Sequence, residues 1–231
     1  MKITSRLKAV ANLVGECKIL ADIGTDHCYI PIYLLKKGKT NNAIASDINE
    51  GPLQAAEETV KKNNLNEKVS IRLGNGLAPL KENDFIDVIV IAGMGGETIV
   101  NILENIPCHL TKCRYILQPM TDISLVRKWL DEKSYKITNE EIAKEVNRYY
   151  TVIEAQHQSN APKLSEIETQ FGPVLLKKKH PLLKEYIVKR RNKNIEVFSQ
   201  IQKIECETLK RDKNRTLRRE KDLLEEVLRW L

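Results

Sequence analysis

The sequence predicts an α/β domain built as a doubly wound, mostly parallel sheet of seven strands, followed by a smaller, basic helical domain. Three observations carry that expectation. Apolar runs alternate with helix-period segments from residue 18 to residue 130, the pattern of parallel strands joined by crossover helices. The run Ile86 to Ala92, apolar except at Asp87, has the character of a strand buried on both faces. Beyond residues 156–164 the strand signals stop, and the chain's whole excess of positive charge lies there. Residues 161–231 carry 18 Lys/Arg against 11 Asp/Glu, whereas residues 1–160 carry 20 of each.

Taken in order, residues 2–15 place Ile3, Leu7, Val10, Ala11 and Val14 on one helical face, closed by Gly15. Lys18 to Gly24 is the first strand. The next helix runs from about His27 to Lys37, with Gly38 after it. Asn42 to Ile48 is the second strand. Gly51-Pro52 opens a helix through Leu53, Ala56 and Val60, its proline tolerated in the first turn. Val69 to Leu73 is the third strand, closed by Gly74-Asn75-Gly76. The fourth strand ends in the cluster Gly93-Met94-Gly95-Gly96, and a helix through Ile99, Ile102 and Leu103 follows. Tyr115 to Leu117 is the fifth strand. Asp122 is placed to cap a helix carrying Val126, Trp129 and Leu130. Tyr135 to Glu141 and Tyr149 to Ala155 close the sheet as an antiparallel pair.

Residues 156–164 are polar, contain a proline, and mark the boundary between domains 1–157 and 158–231. Residues 182–213 read as a long helix with Leu183, Ile187, Phe198, Ile201 and Ile204 apolar. Residues 216–231 read as a second, with Leu217, Leu224 and Leu231 seven apart. Spacing by sevens predicts a two-helix coiled coil turning near Asp212-Lys213-Asn214. A turn that short pairs the helices within one chain, so a monomer is expected.

Several functions are set aside by composition. No stretch approaches a membrane span and the N-terminus lacks a signal-peptide core, so a cytoplasmic protein without membrane partners is expected. The five cysteines, Cys17, Cys28, Cys108, Cys113 and Cys206, are odd in number and scattered, against a disulfide framework. The four histidines do not join them at ligand spacing, so no metal is expected. A basic module beside a neutral domain points to a polyanion, with nucleic acid first; a solvated helical face is the plainer alternative.

The chemistry concentrates around Leu20-Ala21-Asp22-Ile23-Gly24-Thr25-Asp26-His27. A dinucleotide would call for G-x-G-x-x-G after the first strand; here there is one glycine. Gly93-Met94-Gly95-Gly96-Glu97-Thr98 also lacks the third glycine, and no P-loop occurs. A single-glycine turn flanked by acids suits a nucleoside cofactor with an amino acid end. S-adenosylmethionine has that shape. Asp22 would receive its ammonium through water or directly, the turn amides its carboxylate, and Asp47 the ribose hydroxyls. Ile48, Asn75, Gly76, Ala92, Gly93 and His27 complete the cofactor set, with Asn75 accepting from the adenine amino group. The plainer reading, that Asp22 and Asp47 only cap turns, is weakened by their joint placement at strand ends.

Ala21-Asp22-Ile23-Gly24-Thr25-Asp26-His27, Ser46-Asp47-Ile48-Asn49-Glu50-Gly51-Pro52-Leu53, Ala92-Gly93-Met94-Gly95-Gly96, Ile116-Leu117-Gln118-Pro119 and Arg148-Tyr149-Tyr150 together resemble the bacterial tRNA adenine-22 N1-methyltransferase family. The resemblance covers residues 1–160; the tail matches in architecture alone. It implies a Rossmann-like methyltransferase domain and methyl transfer from S-adenosylmethionine to N1 of an adenine in tRNA. One departure stands out. Gly74-Asn75-Gly76-Leu77 occupies the place of the family's common Gly-Asp-Gly-Leu, which keeps an acceptor but loses a charge, an expectation of weaker cofactor binding.

Under that resemblance, Asp26 is the candidate carboxylate beside the ring that becomes cationic. The loop Gly93, Met94, Gly95 would hold the base edge. His27 and Tyr29 would supply an aromatic wall for a base that must leave its stack. RNA contacts are expected at Arg6 and Lys8, at Tyr29, and at Lys178, Lys189, Arg190, Arg191 and Arg218. Two other functions fit parts of the sequence: a methyltransferase for a small molecule, and a non-catalytic RNA-binding protein with a degenerate cofactor pocket. Pro107-Cys108 follows the wrong helix for a cytosine-methylating nucleophile.

Overall fold

The computed structural model describes residues 2–201 and 207–231. The elements follow in the order α1 (Ser5–Val14), β1 (Ile19–Ile23), α2 (Tyr29–Lys36), β2 (Asn42–Asp47), α3 (Glu50–Lys62), β3 (Val69–Leu73), β4 (Val88–Met94), α4 (Gly96–Leu103), β5 (Arg114–Pro119), α5 (Ile123–Glu132), β6 (Tyr135–Glu145) and β7 (Arg148–His157). The helices α6 (Glu166–Phe171), α7 (Pro173–Lys177), α8 (Pro181–Ile201) and α9 (Glu207–Trp230) follow.

The seven strands form one sheet in the order β3-β2-β1-β4-β5-β7-β6. The first five run parallel, and β7 inserts antiparallel between β5 and β6. Helices cover both faces, so the central strands are apolar on both sides. Val88, Ile89, Val90 and Ile91 of β4 are wholly buried, as are Ile116 and Leu117 of β5. Each such side chain contributes roughly 1.5–3 kcal/mol of burial. Local signals set the helix ends. Thr4 Oγ1 accepts from the Leu7 amide at 3.3 Å at the start of α1, and the Gly15 amide donates to the Ala11 carbonyl at its end.

An ion pair of α5 and β6 lies inside. Arg127 of α5 donates from Nε to Glu140 Oε1 of β6 at 2.9 Å, with side-chain exposures of 2% and 0%. It joins the last crossover helix to the edge strand that the helix precedes.

Three local expectations are corrected. The helix after β1 starts at Tyr29 rather than His27, because His27 (φ +46°) and Cys28 (φ +57°) both have left-handed backbone that cannot enter a right-handed helix. Asp122 precedes α5 but also has left-handed backbone (φ +53°), and its side chain makes no capping bond. Residues 212–214, expected as a turn, lie inside α9. None of the three is glycine or proline, and α9's periodic leucines carry the helix through them. Ile204 and Cys206 fall outside the described residues.

The chain divides into two compact units, Met1–Leu164 and Ser165–Leu231. The segment 158–164, expected in the second unit, stays with the first: the Leu164 amide donates to Asp131 Oδ1 at 3.0 Å and Lys163 Nζ to the Asp131 carbonyl at 2.5 Å. In the second unit α8 and α9 pack together. Leu183, Ile187, Asn194 and Ile201 are buried on α8, and Leu224 and Val227 on α9. Asn194 Nδ2 donates to the Leu217 carbonyl (3.3 Å) and to Glu220 Oε2 (3.2 Å).

Candidate active site

Strand order reverses between β1 and β4, and open α/β sheets bind ligands at the carboxyl ends of strands beside such a reversal. A cavity of about 640 Å³ lies there. Ile23 and Gly24 after β1, Asp47 and Ile48 after β2, and Gly74 to Ala78 after β3 form its floor and one side. Met94 at the end of β4, then Thr98, Asn101, Ile102 and Asn105 on and just beyond α4, and Pro107 form the other.

Gly24 suits the place where it stands. Its φ is +70°, and a Cβ there would have to displace the Met94 Cε methyl and would lie 4.0 Å from Asp47 Oδ2. Glycine holds that turn without strain and leaves the backbone open to a ligand. Asp47 is fixed by its Oδ1, which accepts from the Asn49 amide at 2.8 Å.

Asp22 and Thr25 sit beneath this floor. Thr25 Oγ1 donates to Asp22 Oδ2 at 2.7 Å, and both residues are buried. Burial pushes the Asp22 carboxyl up to about 7, against the opposing pull of the Thr25 bond. The Cys28 thiol is wholly buried below the same turn and is pushed up by burial and by Asp22. Asp22 bonds Thr25 and is absent from the cavity lining, and the Gly24 and Thr25 amides of the turn both donate to the Ser46 carbonyl at 2.8 and 2.9 Å.

A pH dependence follows. The Asp22 carboxyl titrates from 3.8 unperturbed to about 7 when folded, so across that interval the folded protein keeps a proton that the unfolded chain has released. The stability Asp22 contributes is complete below its unfolded value and is lost as pH rises through about 7. Asp22→Asn is therefore expected to gain on the wild type between about pH 4 and pH 8. Thermal unfolding of both proteins across that range checks this; a constant difference would contradict it.

The other expected residues lie along the same edge. Gly93 is beside Arg6, whose Nη1 would stand 3.5 Å from a Cβ at that glycine. Arg6 Nη1 donates to the wholly buried Gln118 Oε1 at 2.8 Å, its amide donates to Glu145 Oε1 at 2.5 Å, and its guanidinium lies 5.9 Å from the Tyr150 ring centroid. The Arg6 amide holds the Glu145 carboxyl below its usual range. Gly95 precedes α4, and at Gly96 a Cβ would come within 2.6 Å of the Asp122 carbonyl, so α4 starts hard against the loop after β5. Asp26 Oδ1 lies 3.4 Å from His27 Nε2, and the His27 ring stacks on Tyr29 at 5.2 Å. Tyr29 is 38% exposed, so this pair presents an aromatic surface rather than packing in the core.

Ala92, Gly93, Gly95, Thr25 and His27 do not line the cavity, whereas Gly24, Asp47, Ile48, Asn75, Gly76 and Met94 do. The wall from Thr98 to Asn105 was not foreseen. Its members stand at spacings of three, four and seven from Thr98, one stripe of a helix.

The cations divide. Lys8, Lys178, Lys189 and Arg218 are exposed. Arg190, expected at a phosphate, is engaged inside its own unit: Nε donates to Glu220 Oε1 at 2.6 Å, and the guanidinium lies 5.8 Å from the Phe171 ring centroid. Arg191 is half-buried beside it. Among the described residues no group of three or more His, Cys, Asp or Glu is arranged to hold a metal.

The family model described as tRNA (adenine(22)-N(1))-methyltransferase matches residues 20–226. The tRNA (adenine(22)-N(1))-methyltransferase of Bacillus subtilis is 33% identical over 99% of this chain and 98% of its own length. Sp1610 of Streptococcus pneumoniae, solved in complex with S-adenosyl-L-methionine, superposes with a TM-score of 0.87 at 34% identity, covering 98% of this chain and 100% of that one. TrmK of M. capricolum, solved with S-adenosyl-homocysteine, gives a TM-score of 0.80 at 32% identity, covering 97% and 100%.

Proposed function

The chain belongs to the tRNA (adenine(22)-N(1))-methyltransferase family, and on that premise we propose that it transfers a methyl group from S-adenosylmethionine to N1 of the adenine at position 22 of tRNA. The observation that carries the reading is the cavity at the strand reversal, floored by a glycine whose left-handed backbone would strain any other residue and bounded by Asp47 and Asn75. The residues fit the cofactor. Asp47 would hold the ribose hydroxyls, Ile48 would cover one face of the adenine, and Asn75 would accept from its amino group. Gly24 would let the amino acid end approach the backbone. When bound, S-adenosylmethionine supplies an electrophilic methyl group.

The chain's own work is mainly positional. N1 of adenine carries a lone pair at neutral pH, so no side chain need remove a proton. The loop Gly93-Met94-Gly95 would present the base edge in line and keep water away. His27 and Tyr29 would bound the extruded base, and the Asp26 carboxylate would offset the positive charge that methylation leaves on the ring. Arg6, held by Gln118, Glu145 and Tyr150, would meet the RNA at this edge, and Lys8, Lys178, Lys189 and Arg218 would contact phosphates.

The reading places the protein in the cytoplasm as a monomer. No described helix is long and apolar enough to cross a membrane, and α8 and α9 of one chain bury apolar residues together. Seven-residue spacing and the buried Asn194, which fixes a register, support a coiled-coil pairing of those helices.

Incubation with total bacterial tRNA and labelled S-adenosylmethionine, followed by nucleoside analysis, tests the function: 1-methyladenosine is expected, and its absence would overturn the reading. Arg6→Ala is expected to lower kcat/KM for tRNA by about tenfold or more, as loss of a charged hydrogen-bonding group implies. Its S-adenosylmethionine affinity should stay within about twofold of wild type, since Arg6 does not line the cavity. Calorimetry and tRNA kinetics together read the split.

A further inference from the structure

The arch Gly74–Ala78 after β3 lines the cavity with five consecutive residues, yet its own residues do little to hold it still. Asn75 stands between Gly74 and Gly76, the latter with φ +52°, and glycine has the most conformational freedom to lose. Asn75 is also exposed, so core packing does not fix it. A side chain on so loose a segment binds a ligand well only if the segment is ordered beforehand.

The ordering comes from outside the arch. Arg72 lies on β3, at the edge of the sheet. Its Nη1 donates to the Pro79 carbonyl at 2.9 Å and to Asp84 Oδ2 at 2.6 Å. Its Nη2 donates to Asp84 Oδ1 at 2.8 Å, and its Nε to Ser70 Oγ at 3.1 Å. Asp84 Oδ2 also accepts from the Lys81 amide at 2.6 Å. Pro79 closes on the other foot of the arch, since a Cβ at Gly74 would lie 2.6 Å from its Cγ. One planar group therefore joins the strand before the arch, the residue that ends it, and the single 3₁₀ turn Glu82–Asp84 beyond. The side chains of Arg72 and Asp84 are 21% and 10% exposed, so water competes weakly for these bonds. The bonds from Arg72 hold the Asp84 carboxyl below its usual range. Neither residue lines the cavity. An apolar pair would serve the stability of the strand as well; what a fork of two parallel bonds adds is direction.

We propose that Arg72 is a positioning residue for the cofactor: by clamping Pro79 and Asp84 it holds the feet of the arch together, so that Asn75 stands where it accepts from the adenine amino group of S-adenosylmethionine. The inference rests on the cofactor site proposed above and adds a residue that never touches the ligand. The ribose, the amino acid end and the methyl group are met by the ends of β1, β2 and β4. The effect of Arg72 is therefore confined to how tightly the adenine end is held.

Calorimetric titration of S-adenosylmethionine into the wild type, Arg72→Ala, Asn75→Ala and the double variant tests this. Each single change is expected to weaken binding by about tenfold, the loss of one hydrogen bond to the ligand. The double variant should lose no more than about twofold beyond the larger single loss, because Arg72 acts through Asn75. Residues acting independently would instead multiply to about a hundredfold. In steady-state kinetics with tRNA, Arg72→Ala should raise KM for S-adenosylmethionine by about tenfold and leave kcat at saturating cofactor within about twofold. Arg72→Lys keeps a cation beside Asp84 but not the fork, so part of the affinity loss should remain in it. The same cycle run with Arg72→Lys decides the matter should Arg72→Ala fail to fold. Multiplying losses, unchanged affinity in either single variant, or a fall in kcat with KM unmoved would overturn the positioning role. Wild-type protein that does not bind S-adenosylmethionine would overturn the cofactor site beneath it, a distinct result.

Discussion

Asp47→Ala is expected to weaken S-adenosylmethionine binding by about 10²–10³-fold, the loss of two hydrogen bonds to an ionised acceptor. The carboxylate stands at the end of β2, on the cavity wall, with Oδ1 fixed by the Asn49 amide. Its removal leaves that amide in an exposed stretch where water replaces the bond, so the fold should hold. Calorimetric titration reads the affinity, and an unchanged melting temperature of the ligand-free protein separates lost binding from lost structure. Asp47→Asn keeps the shape and one acceptor, and should recover part of the affinity. An Asp47→Ala protein that binds S-adenosylmethionine as wild type does would remove the ribose contact from the reading.

Arg127→Met is expected to destabilise the protein by about 3–5 kcal/mol, because it removes the guanidinium that pairs with the Glu140 carboxylate in the interior. The pair is almost wholly inaccessible to water, so solvent cannot take the place of the lost partner. For a chain of this size the loss lowers the melting temperature by of order 10 °C. The double change Arg127→Met with Glu140→Leu removes both charges and should recover most of it. Should the double variant be no better than the single one, the cost lies in packing around α5 rather than in the lost ion pair. Neither residue lines the cavity, so cofactor affinity at low temperature should be unaffected.

Most of the fold was legible because parallel strands buried on both faces leave nearly uninterrupted apolar runs: Val88 to Ile91 could be little else. The helices between them declared themselves by Leu53, Ala56 and Val60 or by Val126, Trp129 and Leu130. Less legible was what depends on backbone sign. Nothing in Asp26-His27-Cys28 announces two successive left-handed residues, so α2 was expected two residues early. The same holds at Asp122. Asp22 was read as a cofactor contact, direct or through water, because acids at strand ends commonly face ligands; its 2.7 Å bond from Thr25 was not legible, because that bond depends on the geometry of the turn. Thr98, Asn101 and Asn105 look like any solvent-facing stripe of a helix. They become a wall only once the loop after β3 is brought opposite. In the second unit, Asp212 and Asn214 read as a break because these residues favour turns, yet the leucine repeat beyond them continues the helix.

The floor of the cavity is laced between strands. Gly24 and Thr25 amides donate to the Ser46 carbonyl, and the Gly74 amide donates to the Asp47 carbonyl, so β1, β2 and β3 share three bonds at their carboxyl ends. None of these amides can be exposed by the movement of one loop alone. Their exchange with deuterium should therefore be slow, correlated and tied to one opening event. A ligand seated on that floor should slow all three by one common factor, set by its concentration relative to its dissociation constant.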